Sequence, residues 1–210
     1  MTTNLFGNTP EESVSVADDG LDITYWATFL GEVEANGHLQ QLLSETEWQQ
    51  PSIWMFGRLV KTPRLTAWYG DENAAYKYSG IVNKPMPWTP TLSKLRQFVE
   101  MATLEKYNSV LLNFYRNGND HLSWHSDDEV ELGDEPVIAS LSLGSSRTFC
   151  LRKKSLSSIQ KRLDLVLPNG SLLCMRGTTQ SLWEHCLKKE PKGVEPRINL
   201  TFRTVTPKRN

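Results

Sequence analysis

The chain has few cysteines and no long apolar run, and each absence excludes a class of protein. Its three cysteines, Cys150, Cys174 and Cys186, are odd in number and show no CxxC spacing. That pattern favours free thiols in a reducing compartment over a disulfide framework. No apolar run approaches the roughly 20 residues that cross a bilayer. The N-terminal segment lacks the basic and apolar regions of a signal peptide, so we expect a cytoplasmic protein, or a nuclear one in a eukaryote.

The chain also has almost no net charge, but its charges are distributed unevenly. Residues 1–146 carry 9 Lys and Arg against 20 Asp and Glu, a net charge of −11. Residues 147–210 carry 14 against 4, a net charge of +10. A basic C-terminal third suits a surface that faces a polyanion. The alternative is that the two regions interleave in the fold and neutralise each other, and both interpretations stay open.

The apolar pattern predicts a mainly β protein with flanking helices, in the α+β class. Residues 1–20 are acidic and polar, and we expect a mobile tail there. Residues 21–210 form one predicted domain, in which 21–105 contains the helices and a lid. In the remainder, 106–210, apolar residues alternate and predict about eight short strands, as in a β-sandwich or jelly roll.

The predicted elements follow from periodicity and from helix-start and turn signals. One helix is predicted over Thr28–Trp48, and a second begins at Thr89 with Pro90 in its first position. A hairpin is predicted around Gly57, between Ile53 and Val60. The later predicted strands are Ser109–Tyr115, Leu122–His125, Val137–Leu143, Arg147–Leu151, Leu163–Leu167, Ser171–Met175, Ser181–Leu187 and Arg197–Val205.

A His-x-Asp pair and a late histidine form a candidate metal site. His125 and Asp127 share one face if the backbone there is extended. His185 lies 58 residues after Asp127, in a late strand that a jelly roll can bring beside an early one. Two imidazoles and a carboxylate are the ligands of non-haem Fe(II) oxygenases. Zinc accepts the same ligands, although no HExxH motif supplies a hydrolase base. We expect His121 in a loop and His38 in a solvated helix position.

A late strand carries two arginines on one face. The segment Arg197–Arg203 alternates polar and apolar residues. Burying two arginines is costly unless they bind anions, and arginine holds a carboxylate bidentately. Asn113 and Tyr115 alternate in the same way and can complete a pocket for an acidic co-substrate. Structural salt bridges to nearby aspartates are the alternative.

These segments together resemble the AlkB family of Fe(II)/2-oxoglutarate dioxygenases. The resemblance extends from about Phe56 to Val205 and is strongest to the branch that repairs DNA and RNA. It is carried by Pro63–Gly70, Asn113–Tyr115, Trp124–Glu129, Ala139–Gly144 and Arg197–Arg203.

The resemblance implies a double-stranded β-helix (jelly-roll) core with an N-terminal nucleotide-recognition lid. It implies Fe(II), O₂ and the co-substrate 2-oxoglutarate. It also implies oxidative demethylation of N-alkylated bases such as 1-methyladenine and 3-methylcytosine, with release of formaldehyde, succinate and CO₂. The implied metal ligands are His125, Asp127 and His185. Arg197 is implied as a further catalytic residue near the iron-side carboxylates. The implied 2-oxoglutarate contacts are Asn113, Tyr115, Arg197, Asn199 and Arg203.

Candidate substrate contacts lie in the lid and beside the ligands. A methylated base in a duplex must flip out or arrive single-stranded. Tyr76, Tyr78 and Trp124 are candidate stacking partners, with core packing as the alternative. Asp128 and Glu129 would favour a cationic base, unless they are simply exposed acids.

The sequence leaves the strand preference open. Phe56, at the tip of the predicted hairpin, is a candidate wedge into a duplex. Arg64, a further candidate substrate contact, lies in Pro63–Gly70, a segment more similar to the single-strand branch. Three basic clusters, Arg152–Lys154, Lys161–Arg162 and Lys188–Lys192, are candidate phosphate contacts.

The expected partners are alkylated DNA and, as a second candidate, RNA, bound by a monomer without a membrane. One alternative is the same dioxygenase chemistry on a tRNA, protein or small-molecule substrate. Another is a jelly-roll module that binds damaged nucleic acid without catalysis, which the intact ligand set disfavours.

Overall fold

The computed structural model describes residues 13–55, 57–74, 76–78, 81–154, 161–190 and 193–206. It contains two sheets, two hairpins and helices that precede most of the strands. The helices are α1 (Glu32–Glu45), α2 (Pro90–Thr103) and the single turn α3 (Thr179–Leu182). The strands are β1 (Val14–Asp18), β2 (Leu21–Trp26), β3 (Ser52–Met55), β4 (Arg58–Lys61), β5 (Leu65–Gly70), β6 (Tyr76–Tyr78), β7 (Ile81–Asn83), β8 (Ser109–Tyr115), β9 (Leu122–His125), β10 (Ile138–Gly144), β11 (Arg147–Lys153), β12 (Arg162–Leu167), β13 (Leu172–Arg176), β14 (Trp183–Leu187) and β15 (Arg197–Arg203).

The strands form a major and a minor antiparallel sheet. The major sheet has the order β1-β2-β13-β10-β15-β8-β5, and the minor sheet has the order β12-β11-β14-β9. Strand β9 belongs to the minor sheet and β10 to the major sheet, and the chain then returns to the minor sheet, where β11 and β12 pair. This crossing between two antiparallel sheets is the connectivity of a jelly roll. The predicted jelly roll is confirmed, and β8 and β9 have the predicted bounds.

Both long helices belong to a core on the outer face of the major sheet. Leu42 from α1 and Leu95 from α2 are buried in one cluster with Leu112, Leu141 and Leu200. The alternation of β8 and β15 explains the arrangement, because their apolar residues face this cluster and their polar residues face the other sheet. Amphipathic helices therefore cover one side of the major sheet and leave the other side for the site.

Helix α2 begins as predicted, whereas α1 is shorter than predicted. The Thr89 hydroxyl accepts a hydrogen bond from the Leu92 backbone N–H at 3.2 Å and caps α2. The segment before α1 is not helical because the N–H groups of Phe29 and Leu30 donate to the Gly170 carbonyl at 3.0 and 2.9 Å. Gly170 permits that approach, since a Cβ atom there would lie 2.4 Å from the Leu30 carbonyl oxygen.

A second core fills one end of the space between the two sheets. Ile23, Ile138, Leu151, Leu173 and Trp183 are all at most 1% exposed there. The other end of the same space is lined by polar side chains. The apolar end thus holds the sheets apart at a fixed distance while the polar end remains available for ligands.

The predicted mobile tail is partly wrong, because residues 14–20 are structured. Strand β1 pairs with β2 along its whole length. Asp19 and Gly20 both have positive φ, 55° and 81°, which is the turn that an Asp-Gly pair favours between two strands. That local signal could have predicted the hairpin. Residues 1–12 lie outside the described residues.

Some of the uneven charges are paired in the fold. Lys153 and Lys161, from the basic third, form ion pairs with Asp19 and Asp18 of the N-terminal hairpin. The interleaving interpretation therefore accounts for part of the asymmetry. Among the described residues, no helix is long and apolar enough to cross a membrane, and all three cysteines are free and buried.

Candidate metal and co-substrate site

The two histidines and the aspartate of the candidate metal site converge between the sheets. His125 ends β9 and faces His185 of β14 directly across the strand pair. Their ring centroids are 4.2 Å apart. One ligand atom from each of His125, Asp127 and His185 lies within 4.8 Å of the other two. The sequence prediction that these three residues meet is therefore consistent with the geometry.

The backbone at Asp127 differs from the extended strand that we expected. Strand β9 ends at His125, so Asp127 lies beyond the ladder. Its backbone N–H donates instead to the Gln180 side-chain oxygen at 2.9 Å. The Ser126 hydroxyl donates to the Trp183 carbonyl at 3.0 Å. The position of the Asp127 carboxylate is therefore fixed by these two hydrogen bonds and not by the alternation of a strand.

Both imidazoles are prepared to donate a lone pair to a metal. The His125 Nδ1–H donates to the Ser123 carbonyl at 2.9 Å, which leaves Nε2 unprotonated in the neutral ring. Burial lowers the pKa of His185 to about 3, although the Asp127 carboxylate acts in the opposite direction. His185 is therefore neutral at physiological pH, the form that binds metals.

The carboxylate of Asp127 is ionised despite its burial. It is 3% exposed, and its Oδ1 accepts a hydrogen bond from Arg203 Nη2 at 2.5 Å. Burial alone would raise the pKa of Asp127, but the positive charge of Arg203 acts in the opposite direction, and the pKa is lowered. The structural salt bridge that the sequence left open as an alternative is thus present at Arg203.

The polar face of β15 lines a cavity of about 150 Å³ beside these ligands. Arg197, 2% exposed, donates from Nη2 to the Ser142 hydroxyl at 2.9 Å. Burial lowers its pKa to about 10, which still leaves it charged at neutral pH. Its Nε and that of Arg203 are buried without a hydrogen-bond partner. Two unsatisfied donors on two buried cations fit a ligand with two carboxylates.

The two arginines make different contacts beside this cavity, and the position of Arg197 near the metal-side carboxylates stays a prediction. Arg203, not Arg197, contacts Asp127, whereas Arg197 lies 5.4 Å from the Tyr115 ring. Six strand residues separate the Cα atoms of the arginines by about 20 Å. Only one of them can therefore contact Asp127, and the register of β15 decides which.

Asn113, Tyr115 and Asn199 line the same cavity, as predicted. Asn199 donates to the Ser140 hydroxyl at 2.7 Å. Burial raises the pKa of Tyr115, so its hydroxyl remains a donor. Arg64, predicted as a substrate contact, also lines this cavity, and its Nε donates to Asn113 Oδ1 at 2.7 Å.

A larger cavity of about 600 Å³ adjoins the first. Leu111, Glu129 and Arg203 line both cavities, and Trp68 with the 130–132 turn completes the wall of the larger one. Sequence reasoning missed Trp68, although its alternation with Thr66 on β5 places it on the inner face. It also missed Ser140 and Gln180, which carry no recognisable spacing.

The predicted substrate contacts Trp124, Asp128 and Glu129 lie in three different environments. Trp124 packs against Arg152, whose guanidinium lies 4.1 Å from the ring centroid, so its packing alternative is supported. Asp128 is paired with Lys154 at 3.4 Å and is mostly solvated. Of the two acids, Glu129 alone lines the two cavities just described.

The aromatic lid residues are described only in part. Tyr76 and Tyr78 belong to β6, which pairs with β7; their side chains lie outside the described residues. Phe56 lies outside them altogether. The flanking hairpin β3–β4 is formed as predicted.

Comparison with known proteins identifies the chain once this geometry is established. A model of the 2OG-Fe(II) oxygenase superfamily matches residues 22–203. The chain is also 41% identical over 202 residues to the human alpha-ketoglutarate-dependent dioxygenase alkB homolog 3, covering 92% of this chain and 70% of that protein. The chain belongs to the AlkB family. Human DNA oxidative demethylase ALKBH2 is 38% identical to this AlkB-family chain, with 89% and 74% of the two chains covered.

A solved structure of the same family agrees in fold. The structure of OsALKBH1 superposes with a TM-score of 0.62 at 16% identity, covering 87% of this AlkB-family chain and 96% of the other.

Family membership decides between the metals and the co-substrates that the residues alone left open. This AlkB-family protein is an Fe(II)/2-oxoglutarate-dependent dioxygenase that uses O₂. Its residues fit those groups. Two imidazoles and one carboxylate whose ligand atoms lie together suit Fe(II), and the buried unsatisfied donors of Arg197 and Arg203 suit a dicarboxylate.

Proposed function

We propose that this enzyme oxidatively demethylates N-alkylated bases in DNA, with RNA as a second substrate. The observation that carries the proposal is a cavity of about 600 Å³ that shares Leu111, Glu129 and Arg203 with the smaller cavity, which the three metal ligands line. A flipped base needs such a space next to the oxidising centre. The 38% identity to a protein named as a DNA oxidative demethylase supports the same substrate class.

In this proposal the smaller cavity holds 2-oxoglutarate. Arg197 binds one carboxylate beside Tyr115, where the Nε of Arg197 has no other partner. Arg203 meets the carboxylate nearest the metal while it also balances the charge of Asp127. The cationic pair thus orients the co-substrate along the cavity, because each carboxylate has its own guanidinium.

His125, Asp127 and His185 would hold Fe(II) in the smaller cavity, which they line. Bound there, Fe(II) supplies the activation of O₂ that couples decarboxylation of 2-oxoglutarate to hydroxylation of the methyl group. The chain contributes the ligand geometry and a buried position, since His185 and Asp127 are 4% and 3% exposed. A site of this kind keeps water away from reactive groups.

The larger cavity holds the methylated base. Trp68 supplies an aromatic wall and Leu111 an apolar one. Glu129 places a negative charge at the junction of the two cavities, which favours cationic bases such as 1-methyladenine and 3-methylcytosine over neutral ones. Asp128 takes no part, because Lys154 holds it at the surface.

The β3–β4 hairpin is the proposed contact with the rest of the strand. Trp54 and Leu59 are cross-strand partners on it and are 76% and 60% exposed. Two exposed apolar side chains on a hairpin that also carries Arg58 and Lys61 suit stacking and phosphate contacts. We propose that Phe56 at its tip enters duplex substrates, so that the enzyme accepts both strand forms. We further propose that it acts as a monomer in the cytoplasm or nucleus.

The test is a panel of methylated single- and double-stranded oligonucleotides incubated with Fe(II), 2-oxoglutarate and O₂. We expect formaldehyde and succinate in equal amounts, lost in His125→Ala and Asp127→Ala. Faster turnover of a methylated tRNA, lysine-methylated peptide or small molecule than of any oligonucleotide would replace this proposal with the alternative substrate classes. Metal-loaded protein that consumes no 2-oxoglutarate with any methylated strand would contradict it.

A further inference from the structure

The carboxylate of the proposed metal site lies where the sheet no longer controls the backbone. The pairing of β9 with β14 ends with His125 opposite His185. Asp127 follows two residues later, outside any strand. A ligand outside the ladder needs another source of order, because an unpaired loop residue samples many backbone conformations.

Gln180 supplies that order from inside the protein. It is 1% exposed, and both ends of its amide are used. Its Oε1 accepts the Asp127 backbone N–H at 2.9 Å, and its Nε2 lies 3.4 Å from the Met175 sulfur. The amide orientation is thus determined on both sides, so that its oxygen remains directed at Asp127.

The turn that carries Gln180 also leads into the second histidine strand. Helix α3 ends at Leu182 and β14 begins at Trp183, two residues before His185. Lys154 ties the two segments again, since its Nζ donates to the Gln180 carbonyl at 2.9 Å and contacts Asp128 at 3.4 Å. Gln180 is therefore held on one side by the carboxylate segment and on the other by the turn that leads into the strand of His185.

If Gln180 only stabilised its turn, the loss of a neighbouring residue of that turn would have the same effect. The Thr178 hydroxyl donates to the Gly20 carbonyl at 3.0 Å and anchors the turn to the N-terminal hairpin. It makes no contact with residues 125–128 among the described hydrogen bonds. Thr178 therefore offers a matched control, because its loss weakens the turn without touching the carboxylate segment.

We propose that Gln180 is a positioning residue for the metal site, holding Asp127 in its ligating position through the backbone N–H. The inference rests on the proposed function, in which His125, Asp127 and His185 bind the metal. Partners one layer behind metal ligands orient them, and their loss typically weakens metal binding roughly 10- to 100-fold. Gln180 acts on the ligand's backbone, so its effect is on geometry and not on charge.

The test compares Mn(II) binding to metal-free wild type, Gln180→Met and Thr178→Val, measured by electron paramagnetic resonance of the free ion. Methionine matches glutamine in length but has no strong acceptor. We expect the Mn(II) dissociation constant of Gln180→Met to rise roughly 10- to 100-fold. Thr178→Val should bind Mn(II) as tightly as wild type, even though its unfolding temperature without metal is lowered. Equal weakening in both variants, or none in Gln180→Met, would overturn the inference.

Wild-type behaviour separates this inference from the function on which it rests. If wild type bound no Mn(II), the proposed metal site itself would fail. If wild type bound Mn(II) and Gln180→Met matched it, only the role of Gln180 would fail. Should Gln180→Met not fold, amide hydrogen exchange of metal-free wild type decides. A protected Asp127 amide supports the inference, and exchange as fast as at exposed Asp128 contradicts it.

Discussion

Replacing Arg203 by methionine should destabilise the metal-free protein and make its stability depend on a divalent cation. Arg203 is the only described cation hydrogen-bonded to the buried carboxylate of Asp127, at 2.5 Å. The two side chains are 16% and 4% exposed. The substitution therefore leaves a negative charge buried without its partner.

The size of the loss follows from the burial of the pair. Removing one member of a buried ion pair costs about 3–5 kcal/mol. At roughly 2–4 °C per kcal/mol for a chain of this size, the unfolding temperature should fall by about 6–20 °C. A divalent cation bound at Asp127 restores a compensating positive charge. Mn(II) should therefore raise the unfolding temperature of Arg203→Met by more than that of wild type.

The measurement is thermal unfolding by circular dichroism, with chelator and with Mn(II). Lys161→Met is the control, since Lys161 forms an ion pair with Asp18 in which the two side chains are 46% and 58% exposed. Exposed pairs contribute only about 0–1 kcal/mol, so this control should move little and should not respond to Mn(II). If Arg203→Met unfolded within about 2 °C of wild type in chelator, the buried-pair argument would be refuted.

Three further substitutions test other parts of the site and the core. Arg197→Met should raise the KM for 2-oxoglutarate by at least tenfold, because a charge-assisted hydrogen bond contributes about 1.5–3 kcal/mol; an unchanged KM in steady-state succinate assays would remove Arg197 from the co-substrate site. Glu129→Gln should slow repair of 1-methyladenine about fivefold relative to a neutral methylated base, an effect of about 1 kcal/mol. Equal slowing of both bases would show that its charge does not select the substrate. Burial and the Lys94 charge lower the pKa of His38 despite Glu34 and Glu45, so the unfolded chain takes up the proton first as pH falls. The wild-type free energy of unfolding should therefore decline below about pH 6.5. In urea unfolding, His38→Leu should show a smaller decline. If the two proteins had the same pH profile, His38 would not be the group responsible.

The predicted solvated position of His38 is wrong, and the error shows a limit of local reasoning. His38 is 8% exposed in α1. Its neighbour Gly37 suggested an open surface, but the helix packs on the major sheet along this side. Which face of a helix is buried depends on the sheet beneath it, and a weakly amphipathic helix does not reveal that face.

Several functional residues were predictable because they obey strand alternation. Arg197, Asn199 and Arg203 share a face on β15, and Asn113 and Tyr115 share one on β8. The register places Arg197 opposite Tyr115, which joins the two sets into one cavity wall. Alternation tells which face of a strand a side chain is on, but not which residues of other strands it meets there. The sequence therefore did not tell which arginine contacts Asp127.

Long-range contacts explain what the sequence left undetermined. Gln180 lies 53 residues from Asp127, and no spacing rule links a side-chain amide to that N–H. Trp68 reaches the larger cavity because β5 pairs with β8 opposite Leu111. The limit at residue 105 stays a prediction, as does the monomeric state.

The sequence by itself determined the candidate residues of the site: two imidazoles and a carboxylate suit Fe(II) or zinc, and family membership decided between the two metals. It also determined the faces of the strands, because side-chain direction alternates along any extended backbone. Only the tertiary structure decided which arginine balances Asp127, which acid faces the substrate cavity and what holds the carboxylate beyond the end of β9. Those outcomes depend on strand register and on burial, and both are properties of segments that are distant in the chain and adjacent only in the fold.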